Sequence, residues 1–351
     1  MAILVLPDYA LAADAVMHDE VNGHVRIYRT REERREAGLK HEITDWLTLS
    51  GLLELEYEFQ RFSHNDTSSH SHDDDFTKTL QIGAELHPFS WMKGELIYEY
   101  DDEANRHTLD EGFASFEAGD FELEAGRLYV PFGVYFSHFV TGPVLEFGET
   151  RDVGMNLSWA PDDRLDIAAF VYKGRARKAG SGGKDWDWGF TAEGSPFEFG
   201  SFGVSYLSDL ADSQEGFLSD EGDRYDSRVD AWSAYAVVGY DRFELTAEVV
   251  RALDSFRELD PDRDRPRAWN VELGFYPAGN FEWALRVEGS GDVEDAPRLQ
   301  GGVSVAWRIT RTASLTLDYL RGSYRRGLAE GPGDRELDKV HQVAGQLSVE
   351  F

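Results

Sequence analysis

From Leu47 onward, apolar and polar residues alternate one for one. Leu47, Leu49, Gly51, Leu53, Leu55, Tyr57 and Phe59 share one face, and Thr48, Ser50, Leu52, Glu54, Glu56, Glu58 and Gln60 share the other. A period of two describes a strand whose faces meet different media. Three successive carboxylates on one face exclude lipid on that side, where a charge is costly, so that face meets water. The pattern recurs. Met92, Gly94, Leu96, Tyr98 and Tyr100 oppose Lys93, Glu95, Ile97 and Glu99. Phe243, Leu245, Ala247 and Val249 oppose Glu244, Thr246 and Glu248. Phe281, Trp283, Leu285 and Val287 oppose Glu282, Ala284, Arg286 and Glu288, and Leu315, Leu317 and Tyr319 oppose Thr316, Asp318 and Leu320.

Extended along the chain, the alternation predicts strands at 47–62, 77–86, 91–100, 108–118, 121–129, 151–160, 165–173, 187–195, 199–210, 231–240, 243–253, 267–276, 281–289, 298–309, 313–321 and 339–351. The connections between them alternate strictly, long then short. The long ones are 63–76, 101–107, 130–150, 174–186, 211–230, 254–266, 290–297 and 322–338. This predicts an all-β fold: a single transmembrane antiparallel β-barrel of about 16 strands, with long extracellular loops and short periplasmic turns. The last strand ends on Phe351, the expected form of a strand that seals an outer-membrane barrel against its first. Aromatics stand beside every short turn, at Trp46, Phe89, Trp91, Phe116, Phe121, Trp159, Phe197, Phe199, Tyr240, Phe243, Tyr276, Phe281 and Trp307, as a headgroup-level girdle requires. One strand fits poorly. After Phe121, Leu123 and Ala125, its alternation puts Arg127 on the lipid face, and a bulge at Gly126 is the expected remedy.

Three segments follow. Residues 1–13 read as a truncated signal peptide, with Ala10-Leu-Ala12 as a small-x-small cleavage site. Residues 14–46 form a polar periplasmic segment with one short helix expected over Arg31–Lys40, and 47–351 form the barrel. The residues before Leu47 are too few for a plug domain, so an unplugged pore is expected.

Composition changes the picture in three ways. The mean hydropathy of −0.47 is no obstacle, because alternation hides a barrel from any hydropathy window. With no Cys among 351 residues, disulfides, thiolate metal sites and cysteine nucleophiles are excluded. A formal net charge of −31 excludes nucleic-acid binding through a basic face. An acidic lumen built from Glu54, Glu56, Glu58, Glu95, Glu99, Glu122, Glu124, Glu244 and Glu248 would favour cations. Adaptation to salt, or plain solubility, is the competing cause of that charge.

Residues 126–151 carry the most specific signal. The run Gly126-Arg-Leu-Tyr129-Val-Pro131-Phe132-Gly133, followed by Pro143-Val-Leu-Glu146-Phe-Gly-Glu149-Thr-Arg151, resembles the hallmark of LbtU-type siderophore porins. The opening strand Ile43-Thr-Asp-Trp-Leu-Thr-Leu-Ser-Gly-Leu-Leu-Glu-Leu-Glu56 is similar to that family's barrel opening. The family often has Asp where Gly142 stands here. The resemblance implies an outer-membrane barrel linked to siderophore or iron uptake. The segment also has a reading of its own. Val134, Tyr135, Phe136, Phe139 and Val140 are too apolar for a loop in water. Folding into the lumen would bury them, narrow the pore and set Glu146, Glu149 and Arg151 at the constriction, where selectivity is decided. Packing on the rim or at a subunit contact is the alternative.

Other chemistry is thinner. His64, His70 and His72, beside Asp73–Asp75, fall in the expected first extracellular loop and form a weak metal-site candidate. Asp220-Glu-Gly-Asp-Arg and Asp260-Pro-Asp-Arg-Asp-Arg lack the full ligand ladder of a calcium loop. Arg175, Arg177 and Lys178 form a basic loop patch suited to lipopolysaccharide phosphate or an anionic ligand. Ser137 and His138 are adjacent, and neighbours on a strand point apart, so no nucleophile–base pair is expected and no cofactor is called for. The reading is a non-enzymatic porin in outer-membrane lipid, passing small solutes that include ferric siderophore. Two alternatives are a general cation-selective porin with no siderophore role and a blocked structural or adhesion barrel. Pores of this size commonly form homotrimers.

Overall fold

The computed structural model describes residues 20–21, 24–25, 41–65, 70–102, 106–162, 164–178, 186–197, 199–213, 224–225, 228–259, 263–277, 279–332 and 335–351. The expected leader at 1–13, the helix at Arg31–Lys40 and the acidic run Asp220–Asp223 lie outside them. Sixteen strands form one closed antiparallel barrel. They are β1 Leu47–His64, β2 His70–Phe89, β3 Met92–Asp101, β4 Arg106–Ala118, β5 Phe121–Tyr129, β6 Arg151–Asp162, β7 Leu165–Lys173 and β8 Trp186–Phe197. They continue as β9 Gly200–Leu207, β10 Ala231–Tyr240, β11 Phe243–Ala252, β12 Arg267–Phe275, β13 Phe281–Gly291, β14 Leu299–Arg308, β15 Ala313–Ser323 and β16 Arg335–Glu350. Each strand pairs with its sequence neighbours, and β16 closes on β1 from Leu337 opposite His64 to Glu350 opposite Leu52. Phe351 extends the seam: its N–H donates to the Gly51 carbonyl at 2.9 Å and its carbonyl accepts from the Gly51 N–H at 2.6 Å. Closure leaves no unpaired sheet edge.

The faces separate as the alternation demands. Leu245, Trp269, Val271, Leu273, Trp283, Leu285 and Val287 are exposed outward, whereas Glu244, Asn270, Glu272, Glu282, Arg286 and Glu288 are buried inward. At the short-turn end aromatics stack, within turns at Phe89–Trp91 and Phe197–Phe199 and across neighbouring strands at Phe281–Trp307.

Four expectations need correction. First, the predicted loop 63–76 is strand at both of its ends. Strand β2 begins at His70, and Asp73, Asp74 and Asp75 pair with Gln60, Phe59 and Glu58. The ladder continues past the apolar belt, where both faces are polar and no period marks a strand. Second, 101–107 shrinks likewise, because β3 and β4 pair as far as Asp101 opposite Arg106. Third, the register slip lies at Asp110 of β4, opposite Ile97 and Tyr98, and not at Gly126. Strand β5 pairs evenly with β6 from Phe121–Trp159 to Tyr129–Arg151, and Arg127 stands beside Val153 near the long-loop end. Fourth, Tyr276 is fully buried and turns inward. β12 ends at Phe275, and it is Phe275 that stacks on Phe243 on the outside, with centroids 5.0 Å apart. The alternation continues through the strand end, with Phe275 outward after Trp269, Val271 and Leu273, so Tyr276 falls on the inward face with Asn270 and Glu272.

The main apolar cluster lies within the barrel. Leu128, Val130, Phe132, Leu145 and Phe147 pack against inward residues of β7 to β12, among them Phe170, Leu207, Ala231, Val250 and Ala268. The segment between β5 and β6 therefore folds inward.

Candidate functional site

The 130–150 segment travels along the inner wall, and its course can be followed through its hydrogen bonds. The Gly133 N–H donates to Ser205 Oγ of β9 at 3.1 Å. The Val134 and Tyr135 N–H groups donate to the two oxygens of Glu248 on β11, each at 2.8 Å. Ser137 Oγ and the His138 N–H donate to the two oxygens of Glu272 on β12, at 2.9 and 2.7 Å. The Val140 N–H donates to Asp318 on β15 at 2.5 Å. Gln342 of β16 donates to Thr141 Oγ1 at 3.0 Å and to Glu58 of β1 at 2.8 Å. The chain then returns, donating from Val144 N–H to Glu288 of β13 at 2.7 Å, and winds through a 3-10 turn at Val144–Gly148. An irregular backbone inside a barrel needs partners for its N–H groups, and here wall carboxylates supply them.

Arg286 of β13 is the centre of this attachment. It is fully buried and donates to Glu272 at 2.7 Å, to Glu288 at 3.4 Å, to the Gly142 carbonyl at 3.2 Å and to Ser137 Oγ. Its guanidinium also lies 4.2 Å from the Phe139 ring centroid. The planar fork of arginine suits several acceptors at once. His138 is buried beside it, with Nδ1 2.6 Å from Glu282 and Nε2 3.5 Å from Glu244. Burial pulls the His138 imidazole down, but Glu282, Glu244 and Glu272 outweigh it and hold the group above its ordinary value. The inward Tyr276 hydroxyl donates to Glu244 at 3.3 Å.

Conformation favours the same path. Gly133 has φ +78°, where an L side chain is strained, and a Cβ there would stand 2.8 Å from Glu248 Oε1. Gly142 lies against the Glu146 carboxylate so closely that a Cβ would overlap it. Any side chain at 142 would require Glu146 to move.

The residues singled out from the sequence therefore divide. Phe132 and Pro143 are buried in the inward segment, and Tyr129, Pro131, Glu146 and Glu149 are half-buried. Arg151 differs from expectation: it sits at the root of the segment, where it pairs with Asp110, receives the Tyr129 ring at 5.2 Å and donates to the Tyr129 hydroxyl at 3.0 Å. The slip at Asp110 brings that carboxylate to Arg151. Glu54, Glu56, Glu58, Glu95 and Glu99 face inward from β1 and β3 and are half-buried, with glutamine partners for Glu56, Glu58 and Glu99. Glu122 and Glu124 face inward from β5. Glu244 and Glu248 are already engaged by the segment. His64 does not converge with His70 and His72. It points inward to Ser71 at 2.8 Å, whereas His70 and His72 pair with Ser63 and Arg61 on the outer face.

Glu272, Glu282, Arg286, Glu288, Asp318, His138 and Asp110 were not singled out from the sequence as site residues. For the strand residues the signal existed, since an arginine flanked by inward glutamates within β13 breaks the acidic pattern. The sequence alone presents Ser137 and His138 as strand neighbours that diverge. In this non-strand segment both address Glu272.

No family model matches the chain. Among curated proteins, it is 28% identical over 208 residues to a UPF0422 protein of Coxiella burnetii, across 53% of this chain and 44% of that protein. It is 30% identical over 171 residues to a UPF0422 protein of Legionella pneumophila, across 43% of this chain and 32% of that one. The chain spans less than half the length of the curated relatives it matches. In fold it is similar to OmpF of Salmonella typhi, solved in complex with daunomycin, with a TM-score of 0.61 and 12% identity over 89% of this chain and 100% of that chain. It is also similar to an anion-selective porin from Comamonas acidovorans, with a TM-score of 0.62 and 10% identity over 87% and 99% of the two chains. The outer-membrane channel DcaP of Acinetobacter baumannii gives a TM-score of 0.59 and 11% identity over 90% and 99%. These likenesses establish the fold, a sixteen-stranded barrel of the porin type.

Proposed function

We propose that this chain is an outer-membrane porin whose lumen is narrowed by residues 130–150. The barrel would sit in the bacterial outer membrane, its apolar outer face against lipid and lipopolysaccharide and its long loops outside the cell. One observation carries the reading: the segment between β5 and β6 is fastened inside the barrel to the wall from β9 to β16. In this reading the acidic wall of Glu54, Glu56, Glu58, Glu95, Glu99, Glu122 and Glu124 faces it across the remaining lumen. Permeating ions would pass between the two. Carboxylates along such a passage favour cations. Glu146 and Glu149 would contribute from the segment's side, while Arg151 is neutralised at the root by Asp110.

The resemblance of Tyr129, Pro131, Phe132, Gly133, Pro143, Glu146, Glu149 and Arg151 to the siderophore-porin hallmark supports a metal-loaded siderophore as one permeant. In this reading transport is diffusive and the chelate is weakly held. Homotrimer formation belongs to the same proposal.

The test is single-channel conductance of purified protein in planar bilayers, under a salt gradient and then with ferric siderophore added. Cation-selective openings that the chelate blocks are expected. Openings indifferent to it would remove the siderophore role and leave a general porin. Absence of conductance would favour a blocked structural barrel.

A further inference from the structure

Three aspartates meet at the long-loop end, away from the lumen attachment. Asp187 opens β8, while Asp209 and Asp212 bracket the 3-10 turn Leu210–Asp212 that follows β9. All three are buried, and one carboxylate oxygen from each lies within 4.8 Å of the others. Asp187 Oδ1 is 2.6 Å from Arg228 Nε and accepts from Ser208 Oγ at 3.2 Å. Asp209 Oδ1 accepts from the N–H groups of Ala211 at 3.1 Å and Val229 at 3.4 Å. Asp212 Oδ1 accepts from the Ala176 N–H at 2.8 Å. Asp212 Oδ2 is buried and has no hydrogen-bond partner. A Cβ on residue 174 would overlap it, so the carboxylate fits there only against a glycine.

We propose that Asp187, Asp209 and Asp212 bind one hard divalent cation, calcium being the fitting ion, and that it clamps the ends of β7, β8 and β9. Three buried carboxylates gathered this closely repel one another, and a divalent ion bound among them offsets that repulsion. Buried charges require such compensation. An all-oxygen donor set with flexible geometry selects calcium over softer transition metals. The unpartnered Asp212 oxygen is the donor that the protein leaves unused. The clamp would join the backbone at Ala176, the start of β8 and the turn after β9, where Ala176, Leu210, Ala211 and Val229 pack together. Without an ion, burial first and the Asp209 charge second push the Asp212 carboxyl up to about 8, so a proton is the competing occupant.

Terbium reports such a site directly. The Tyr172 hydroxyl donates to the Asp209 carbonyl at 3.3 Å, and Trp186 and Trp188 flank Asp187, so ring excitation can sensitise a bound lanthanide. The full chain in detergent is titrated with terbium at high ionic strength and then with calcium, and heat denaturation is recorded with calcium or EDTA. The proposal expects a saturable emission that calcium displaces and a rise of roughly 3 °C in unfolding temperature with calcium. Both should be lost in Asp212→Asn and kept in Asp74→Asn, an exposed carboxylate of β2. Emission or calcium stabilisation that persists in Asp212→Asn would overturn it. So would an unfolding temperature of the unaltered protein that depends on pH but not on calcium, which is the result a shared proton gives. That last comparison needs no variant to fold.

Discussion

The inner wall of β1 to β5 and that of β11 to β15 begin from the same pattern, a carboxylate at alternate positions facing inward. On the first wall, Glu54, Glu56, Glu58, Glu95 and Glu99 keep part of their surface open and take side-chain partners from their own or neighbouring strands. On the second, Glu248, Glu272, Glu288 and Asp318 receive backbone N–H groups from the inward segment. Period-two alternation decides only that a carboxylate meets the interior. What it does there depends on whether another piece of chain arrives. One wall keeps its carboxylates partly open, and the other becomes a binding surface for the protein's own loop.

The largest effect should come from Arg286. Removing it in Arg286→Ala leaves Glu272 and Glu288 buried without their cation, at a cost of about 3–5 kcal/mol. A lowered denaturation midpoint in detergent, followed by tryptophan fluorescence, would register it. If stability were unchanged, the two walls would not differ in the way described.

Glu248→Gln is next. A carboxylate accepts two N–H groups at Val134 and Tyr135, but an amide offers one acceptor and one donor. A loss of about 1–3 kcal/mol is expected, with noisier single-channel current from a looser segment. The same noise should follow pH through His138. Its native value is raised above the ordinary imidazole value, so its contribution is complete below about 6.5 and is lost as pH climbs through the raised value. Recordings across pH 6 to 9 should grow noisier toward the alkaline end, and His138→Gln should remove that dependence. Growing noise toward acid would contradict the sign.

The smallest effect on stability, and a clear one on permeation, belongs to the first wall. A Glu54→Gln, Glu56→Gln, Glu58→Gln triple variant should change stability by no more than about 0.5 kcal/mol per site. Its reversal potential in a salt gradient should move away from the cation value. An unmoved potential would place selectivity elsewhere.

The barrel was largely legible in the sequence because a strand with lipid on one side and water on the other must alternate. Errors arose where one of those media is missing. Asp73–Asp75 lie beyond the apolar belt, so nothing in their pattern distinguishes strand from loop. Nearness to a turn suggests the girdle for Tyr276, although the alternation of β12 already puts it on the inward face with Asn270 and Glu272. The inward segment was legible as too apolar for water, but its attachments were not. Val140 meets Asp318, and Val134 meets Glu248, across long stretches of sequence that no local period links. Arg151 was assigned to the segment's charged edge, but the slip at Asp110 holds it at the root.

The central claim is that the fastened segment sets the width of the passage. Replacing residues 134–146 with a short Gly-Ser linker and comparing single-channel conductance with the parent tests it most directly. A several-fold rise, with passage of solutes the parent excludes, is the predicted result. Equal conductance in a variant that still folds as a barrel would contradict it.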